Sequence, residues 1–200
     1  MLLEAGRFFM RSTISSQPET CRLIWLTWFI PIIAINFQLI ADTYLVALDG
    51  TGDFSNIQAA IDNSNHGDLI QVNAGTYFES IDFKGKAIKV SSIEGRNDTI
   101  INAGGSSSAV LFLSGEGPDS ELKGFTVENG QGFDPLSLES LGGGILILNS
   151  SPTLSDCYVH NNSADLGGGI CAIAADGLVL KDCILKNNQA DHGGGMYAMT

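Results

Sequence analysis

The chain has 200 residues, of which 44% are hydrophobic and 24 are glycine. This composition fits one folded domain with many turns and excludes a disordered chain. The formal net charge of -12 argues against a surface for nucleic acid or anionic lipid, and is compatible with cation binding or with simple solubility.

The N-terminal segment 1–41 differs sharply from the rest of the chain. Three arginines precede an apolar run from Leu23 to Ile40, and the small residue Ala41 follows it. This order predicts a signal peptide over 1–41 with cleavage near Ala41, so that the protein is secreted or held at the cell surface or outer membrane. The alternative is an uncleaved membrane-anchoring leader, because the apolar run approaches the length that spans a bilayer. Translation from Met10 would give a leader of more usual length.

Residues 42–200 are predicted to form one domain that begins with a short helix. Ile57, Ala60 and Ile61 share one face of this helix, and Ser55 or Asn56 precedes them as the N-cap. Short alternating apolar runs with turn residues between them then predict strands at 69–72, 81–83, 88–90, 99–101, 110–113 and 122–127.

A repeat occupies the C-terminal part, and each of its units begins at a glycine triplet. The triplets are Gly142, Gly143 and Gly144, then Gly167, Gly168 and Gly169, then Gly193, Gly194 and Gly195, so their spacing is nearly constant. Such a period indicates stacked supersecondary units, and the short strands within each unit predict the coils of a parallel β-helix. The fold class is therefore all-β, a solenoid whose first coil the short helix covers. Because the last triplet is followed closely by Thr200, we expect the domain to be truncated at its C-terminus.

Equivalent residues of successive coils are expected to stack. Asn161 with Asn187, or Asn162 with Asn188, would form a ladder of side-chain hydrogen bonds inside a bend. The segment 122–129 aligns with 154–161, which makes that coil longer than the two that follow and predicts a protruding loop at 133–140.

The segments 151–157, 161–164 and 167–170 resemble the repeats of right-handed parallel β-helix proteins of the pectin-lyase-like superfamily. They are especially similar to the Gly-Gly repeats of secreted and surface proteins related to polymorphic outer-membrane proteins. This resemblance implies right-handed winding and an adhesive or glycan-binding role at the cell surface.

The N-terminal half resembles the pectinesterases. The resemblance rests on 49–54, on 57–61 and on a Gly-x-Tyr-x-Glu motif at Gly75, Tyr77 and Glu79. It implies ester hydrolysis on pectin, but the glutamine and the two aspartates of the later esterase motifs have no counterpart here. No catalytic residue is therefore assigned.

Two pairs of aspartates occupy equivalent positions in consecutive repeats, Asp156 with Asp182 and Asp165 with Asp191. If they stack, each pair brings like charges close together, and a hard cation such as Ca²⁺ would relieve the repulsion. The resemblance to pectate lyases implies the same ion. The favoured interpretation is nevertheless that these aspartates are exposed turn residues without a metal.

The remaining candidate groups are basic residues and cysteines. A lyase of this superfamily would need an arginine or lysine base, and neither Lys181 nor Lys186 is singled out by the sequence. Cys157, Cys171 and Cys183 are expected as free, buried thiols that act as small apolar residues.

These observations predict an exported or surface β-helix protein that binds carbohydrate or acts as an adhesin. Its expected partners are extracellular polysaccharides or cell-surface glycans, with no nucleic acid and with membrane contact only through an uncleaved leader. No complete catalytic site is expected in this chain. The alternative is a polysaccharide-active enzyme that works by calcium-assisted β-elimination or by ester hydrolysis.

Overall fold

The computed structural model describes residues 41–134 and 139–200. The predicted leader, apart from Ala41, and residues 135–138 of the predicted loop lie outside the described residues. Among the described residues, no helix has the length and apolar character needed to cross a membrane.

The described residues form one short helix and sixteen short strands. In chain order these are β1 (Thr43–Val46), α1 (Ile57–Asn63), β2 (Leu69–Val72), β3 (Gly75–Phe78), β4 (Ile81–Asp82), β5 (Lys89–Ser92), β6 (Thr99–Asn102), β7 (Val110–Phe112), β8 (Glu121–Lys123), β9 (Thr126–Glu128), β10 (Ile145–Leu148), β11 (Thr153–Ser155), β12 (Tyr158–His160), β13 (Ile170–Ile173), β14 (Val179–Lys181), β15 (Ile184–Lys186) and β16 (Met196–Met199).

The strands belong to three sheets in which all neighbours pair in parallel. Sheet A has the order β1-β2-β5-β8-β11-β14, sheet B the order β15-β12-β9-β6-β3, and sheet C the order β16-β13-β10-β7-β4. From β2 onward the chain therefore passes through sheets A, B and C in turn, once for each of the five coils described. This is a parallel β-helix, and the predicted fold class is confirmed. The sheet order does not fix the hand of the winding, so right-handedness stays a prediction.

The pairing confirms the alignment of coils inferred from the sequence. In sheet A, Leu154 pairs with Leu122 on one side and Leu180 on the other. In sheet B, Val159 has Val127 and Leu185 as its neighbours. The predicted strand at 122–127 is two strands, because Gly124 turns the chain with a φ of 76° between sheets A and B.

Side chains alternate between the interior of the coils and the outside, as they do on any strand. The fully buried interior is a continuous column of apolar residues, among them Tyr77, Phe83, Phe112, Phe125, Ile101, Val127 and Val159. Burial of this column is the main source of folding free energy.

Helix α1 lies against the first coil and buries Ile57, Ala60 and Ile61, which confirms the predicted capping helix. Asn56 is the N-cap, and its side chain accepts from the Ala59 N–H. The Gln58 side chain donates to the carbonyl of Asp82 and accepts from its N–H, so it occupies the hydrogen-bonding edge of β4, the outermost strand of sheet C. The helix thereby blunts an edge that would otherwise be open to another strand.

The glycine triplets lead directly into β10, β13 and β16. The first glycine of each triplet has a positive φ, 59° at Gly142 and 68° at Gly167 and Gly193, a region that glycine adopts without strain. A Cβ on Gly143 would collide with the carbonyl oxygen of Gly168 in the next coil. The close approach of consecutive backbones therefore excludes any side chain at this corner.

Asn162 forms the side-chain ladder inside the bend that follows sheet B. It is 1% exposed. Its Nδ2 donates to the carbonyl oxygens of Val127 (3.0 Å) and His160 (2.9 Å), and its Oδ1 accepts from the Gly130 N–H (2.9 Å). One buried amide thus satisfies backbone groups of two coils.

Asn188 repeats this role one coil later. Its Oδ1 accepts from the Asn162 side chain at 3.1 Å, and its Nδ2 donates to the carbonyl of Val159 at 2.9 Å. Of the two asparagine pairs that the sequence allows, the ladder uses Asn162 and Asn188. Asn161 and Asn187 are exposed, and each has a φ of 55°, a left-handed conformation that asparagine tolerates.

We expect Asn162→Ala to lower the free energy of unfolding by at least about 2 kcal/mol, because each buried backbone group left without a partner costs about 1–3 kcal/mol. Urea denaturation followed by circular dichroism measures this loss. The matched control Asn161→Gly should change stability by less than about 0.5 kcal/mol, as at other surface positions. Equal losses in the two variants would contradict the ladder.

Candidate functional site

The outer face of sheet B carries a row of five side chains, one from each coil. Strand pairing aligns Phe78 with Asn102, Asn102 with Glu128, Glu128 with His160, and His160 with Lys186. We call these five residues the outer row. Neighbours in the row are one strand spacing apart, about 4.8 Å, so the row runs across the strands for roughly 19 Å.

The middle of the outer row is held by direct contacts. Asn102 Nδ2 donates to Glu128 Oε1 at 2.8 Å, and Glu128 Oε2 lies 3.4 Å from His160 Nε2. The His160 ring also stacks on Tyr158, with ring centroids 4.3 Å apart. The side chains of His160 and Glu128 are only 16% and 19% exposed. His160 is therefore an oriented group within a packed row.

The two ends of the row are open to solvent. Phe78 is 77% exposed, although it follows directly on the buried Tyr77 in the same strand. At the other end Lys186 is exposed. The row therefore presents an aromatic face at one end and a positive charge at the other.

An open groove lies beside the outer row, where the strands of sheet B turn toward sheet C. Its volume is about 440 Å³. It is lined by Phe78, Asn102, Gly104, Gly105, Asn129, Gly130, Gln131, Asn161 and Ser163. The lining thus combines one aromatic ring, several amides and a hydroxyl with a floor of glycines, and it contains no charged side chain.

This lining suits an uncharged polar ligand with apolar faces. Asparagine and glutamine amides each offer both donors and acceptors, and serine offers a hydroxyl. An exposed aromatic ring provides a flat apolar surface on which another ring can stack. A few polar groups around an apolar contact is the usual composition of a small-molecule site.

The Gly75-x-Tyr77-x-Glu79 motif has a structural role. Tyr77 is buried and its hydroxyl donates to the carbonyl of Asn73 at 3.0 Å. The Glu79 carboxylate accepts from the Ile57 and Gln58 N–H groups at 2.8 and 2.9 Å, which are free donors at the start of α1. The motif therefore fixes the capping helix onto the first coil.

The aspartates at 156 and 182 lie in equivalent turns between sheets A and B, with φ values of 50° and 54°. Arg96 bridges these turns: its Nη1 lies 3.1 Å from Asp156 Oδ1 and donates to the main-chain oxygen of Asp182 at 2.9 Å. A guanidinium from an earlier coil thus places a positive charge at the turn of Asp156.

The aspartates at 165 and 191 lie one coil apart in a separate polar recess that also contains Ser140. The N–H and hydroxyl of Ser140 both donate to Asp165 Oδ2, at 2.7 and 3.0 Å, and these bonds lower the pKa of Asp165 below its ordinary value. Asp191 is exposed. Across residues 41–134 and 139–200, no three His, Cys, Asp or Glu side chains are grouped so as to hold a metal ion.

Sequence reasoning missed most of the outer row. The signal was present, because Glu128, His160 and Lys186 each follow directly after the aligned apolar residues Val127, Val159 and Leu185. A comparison of only identical residues between repeats hides such a row, since its members differ from coil to coil.

Comparisons with known proteins give limited information. No protein-family model matches the chain, and no curated protein matches it. Among solved structures, the pectin methylesterase from carrot is similar, with a TM-score of 0.47 and 19% sequence identity over 70% of this chain and 51% of that chain. The chain thus spans about half the length of that enzyme. The class of this protein, a parallel β-helix, follows from its own three parallel sheets.

We expect millimolar Ca²⁺ to leave the melting temperature unchanged, because Arg96 already compensates Asp156 and bonds to the turn at Asp182. Asp182→Asn should alter the free energy of unfolding by no more than about 0.5 kcal/mol, as should the control Asp176→Asn in another exposed turn. Thermal melts with and without Ca²⁺ measure both. A calcium-dependent rise that disappears only in Asp182→Asn would contradict this expectation.

Proposed function

We propose that this protein is exported and binds carbohydrate along the outer row and the adjoining groove of sheet B. Its partner would be an extracellular polysaccharide or a cell-surface glycan, and its role would be binding or adhesion. The observation that carries the proposal is the pairing of a highly exposed Phe78 with an uncharged, amide-lined groove.

The chemistry of sugars supports this pairing. A sugar ring has apolar C–H faces and a rim of hydroxyl groups, each of which is both a donor and an acceptor. Phe78 would stack on such a face, and Asn129 and Asn161 would bond the hydroxyl rim. The negative charge of the chain as a whole disfavours nucleic acid as the ligand.

The direction of the row indicates how a glycan chain would lie. Outer-row side chains come from consecutive coils, so a ligand that contacts several of them must cross the strands and run parallel to the stack of coils. Each successive sugar would then meet the side chains of the next coil. A linear oligosaccharide fits this arrangement better than a single monosaccharide does.

Replacement of Phe78 tests the proposal. We expect Phe78→Ala to weaken glycan binding by about two- to twelvefold, since an aromatic stacking contact contributes about 0.5–1.5 kcal/mol and about 1.4 kcal/mol corresponds to a factor of ten. Affinity electrophoresis in gels that contain polygalacturonate, or a neutral glucan, measures the retardation of the native protein and of the variant.

Ile93→Ala is the matched control, because Ile93 is 50% exposed and does not line the groove. It should be retarded like the native protein. The proposal is wrong if neither polysaccharide retards the native protein, or if Phe78→Ala and Ile93→Ala behave alike.

A second candidate function is β-elimination on an acidic polysaccharide, and the contacts of His160 favour it. Glu128 beside one ring nitrogen would orient the imidazole, leaving the other nitrogen to accept the proton next to the sugar carboxylate. Lys186, aligned with His160, would offset the negative charge of that carboxylate. The sequence alone did not single out this lysine.

We expect no turnover when the purified chain is incubated with polygalacturonate and Ca²⁺, because the sequence shows neither the later esterase motifs nor a base that is singled out for a lyase. Ultraviolet absorbance of unsaturated products is the measurement. Product formation that is lost in Lys186→Met, but kept in Lys181→Met on the outer face of sheet A, would establish the second candidate instead.

A further inference from the structure

Two cysteines occupy the same position on consecutive coils. Cys157 lies between β11 and β12, and Cys183 lies between β14 and β15. The pairs on either side are in register, Ser155 with Lys181 and Tyr158 with Ile184. The Cα atoms of the two cysteines are therefore about one strand spacing apart, roughly 4.8 Å, which falls within the range of about 4.4–6.8 Å found for disulfides. Both cysteines are free thiols in the structure, and their Cβ atoms must approach to within about 4.5 Å for the bond to form.

Backbone bonds fix this alignment at the cysteines themselves. The N–H of Ile184 donates to the carbonyl of Cys157 at 2.8 Å, and the N–H of Asp156 donates to the carbonyl of Lys181 at 2.9 Å. Neither cysteine can slide past the other without breaking these bonds.

Both side chains point into the interior. Cys157 is fully buried, and Cys183 is partly buried against the same core. Cys157 Sγ lies 3.6 Å from the carbonyl oxygen of Leu122, and Cys183 Sγ lies 3.5 Å from that of Leu154, the equivalent residue one coil later. The two side chains thus have the same orientation, and one sulfur lies above the other.

The two thiols differ in acidity. A hydrogen bond between their sulfurs lowers the pKa of Cys183 and raises that of Cys157, whose burial raises it further. Cys183 is also the more accessible of the two, since Cys157 is buried and Cys183 only partly so. Because the thiolate is the reactive form, we expect Cys183 to be the nucleophile of the pair.

We propose that Cys157 and Cys183 are a disulfide site that joins the fourth and fifth described coils when the chain meets a small oxidised disulfide such as glutathione disulfide. The Cys183 thiolate attacks one sulfur of that molecule and releases a glutathione thiolate. The Cys157 thiol then loses its proton to water and attacks the Cys183 sulfur, which breaks the mixed disulfide and releases the second glutathione. Two protein thiols are oxidised by two electrons, and one glutathione disulfide is reduced.

The third cysteine provides an internal comparison. Cys171 lies in β13, on sheet C, and burial raises its pKa to about 11. Two of the three cysteines of residues 41–200 therefore form a pair, and Cys171 stays a buried thiol. One pair and one unpaired thiol account for the odd number of cysteines in this part of the chain.

The test uses the full chain carrying Cys171→Ser, so that the long peptide containing Cys157 has no second thiol. The folded protein is incubated with glutathione disulfide at mildly alkaline pH, blocked with N-ethylmaleimide, digested and analysed by mass spectrometry. We expect a peptide linked through Cys157 and Cys183, the loss of two titratable thiols, and a higher melting temperature that dithiothreitol reverses. The same linked pair should form in the chain that keeps Cys171.

Two further variants make the result unambiguous. In Cys157→Ala we expect a stable glutathione adduct on Cys183, because the resolving thiol is gone. In Cys183→Ser we expect Cys157 to remain unmodified, since it is buried and its thiol is less acidic. The proposal is overturned if Cys183 carries a stable glutathione adduct while Cys157 is present, if neither thiol reacts in the folded chain, or if Cys157 pairs with Cys171.

Discussion

Backbone pairing between consecutive coils, in a fixed register, is the interaction on which the rest of this structure depends. Each inner strand takes its hydrogen-bond partners from the coil before and the coil after it, so every unit must return the chain to the same position. A slip of one residue would turn Val159 outward and His160 inward, which the apolar interior forbids. Units of unequal length are compatible with this register only where the extra residues form a loop at a corner between two strands.

The long coil shows how this constraint is met. Phe133 and Leu141 exchange two backbone hydrogen bonds, at 2.9 and 3.0 Å, and so close the base of the segment between them. The strands on either side of this closure, β9 and β10, then continue in register with their neighbours. An insertion therefore changes the outline of one corner and leaves all three sheets intact.

Much of the fold was predictable from the sequence, because coils that stack in the same register need similar residues at equivalent positions, and their sequences therefore repeat. The strands at Leu122, Leu154 and Leu180 and the glycine corners follow from that repetition, whereas the helix at Ile57 follows from its own apolar face and N-cap. The choice between Asn161 and Asn162 was not predictable, since adjacent asparagines repeat together and only backbone direction decides which one is inside. The Arg96 bridge was also hidden, because it joins residues that no repeat or local spacing connects.

The candidate site was harder to predict for a related reason. Repetition identifies what stacking needs, whereas a ligand-binding row is recognised by residues that differ from one coil to the next. Glu79 illustrates the converse: the motif that most resembled an enzyme binds the start of α1 through two backbone N–H groups. A β-helix of any function needs its first coil covered, so this motif indicates the fold and not a particular activity.

The alternation of side chains in sheet B has a consequence for how such a surface can evolve. Val127, Val159 and the other inward residues carry the stability of the coils, whereas the residues immediately after them lie on the outer face of the sheet. Substitutions at Glu128, His160 or Lys186 therefore leave the apolar interior untouched, and each changes the proposed binding surface at one step along its length. The outer face of such a sheet can therefore change one coil at a time while the apolar interior stays the same.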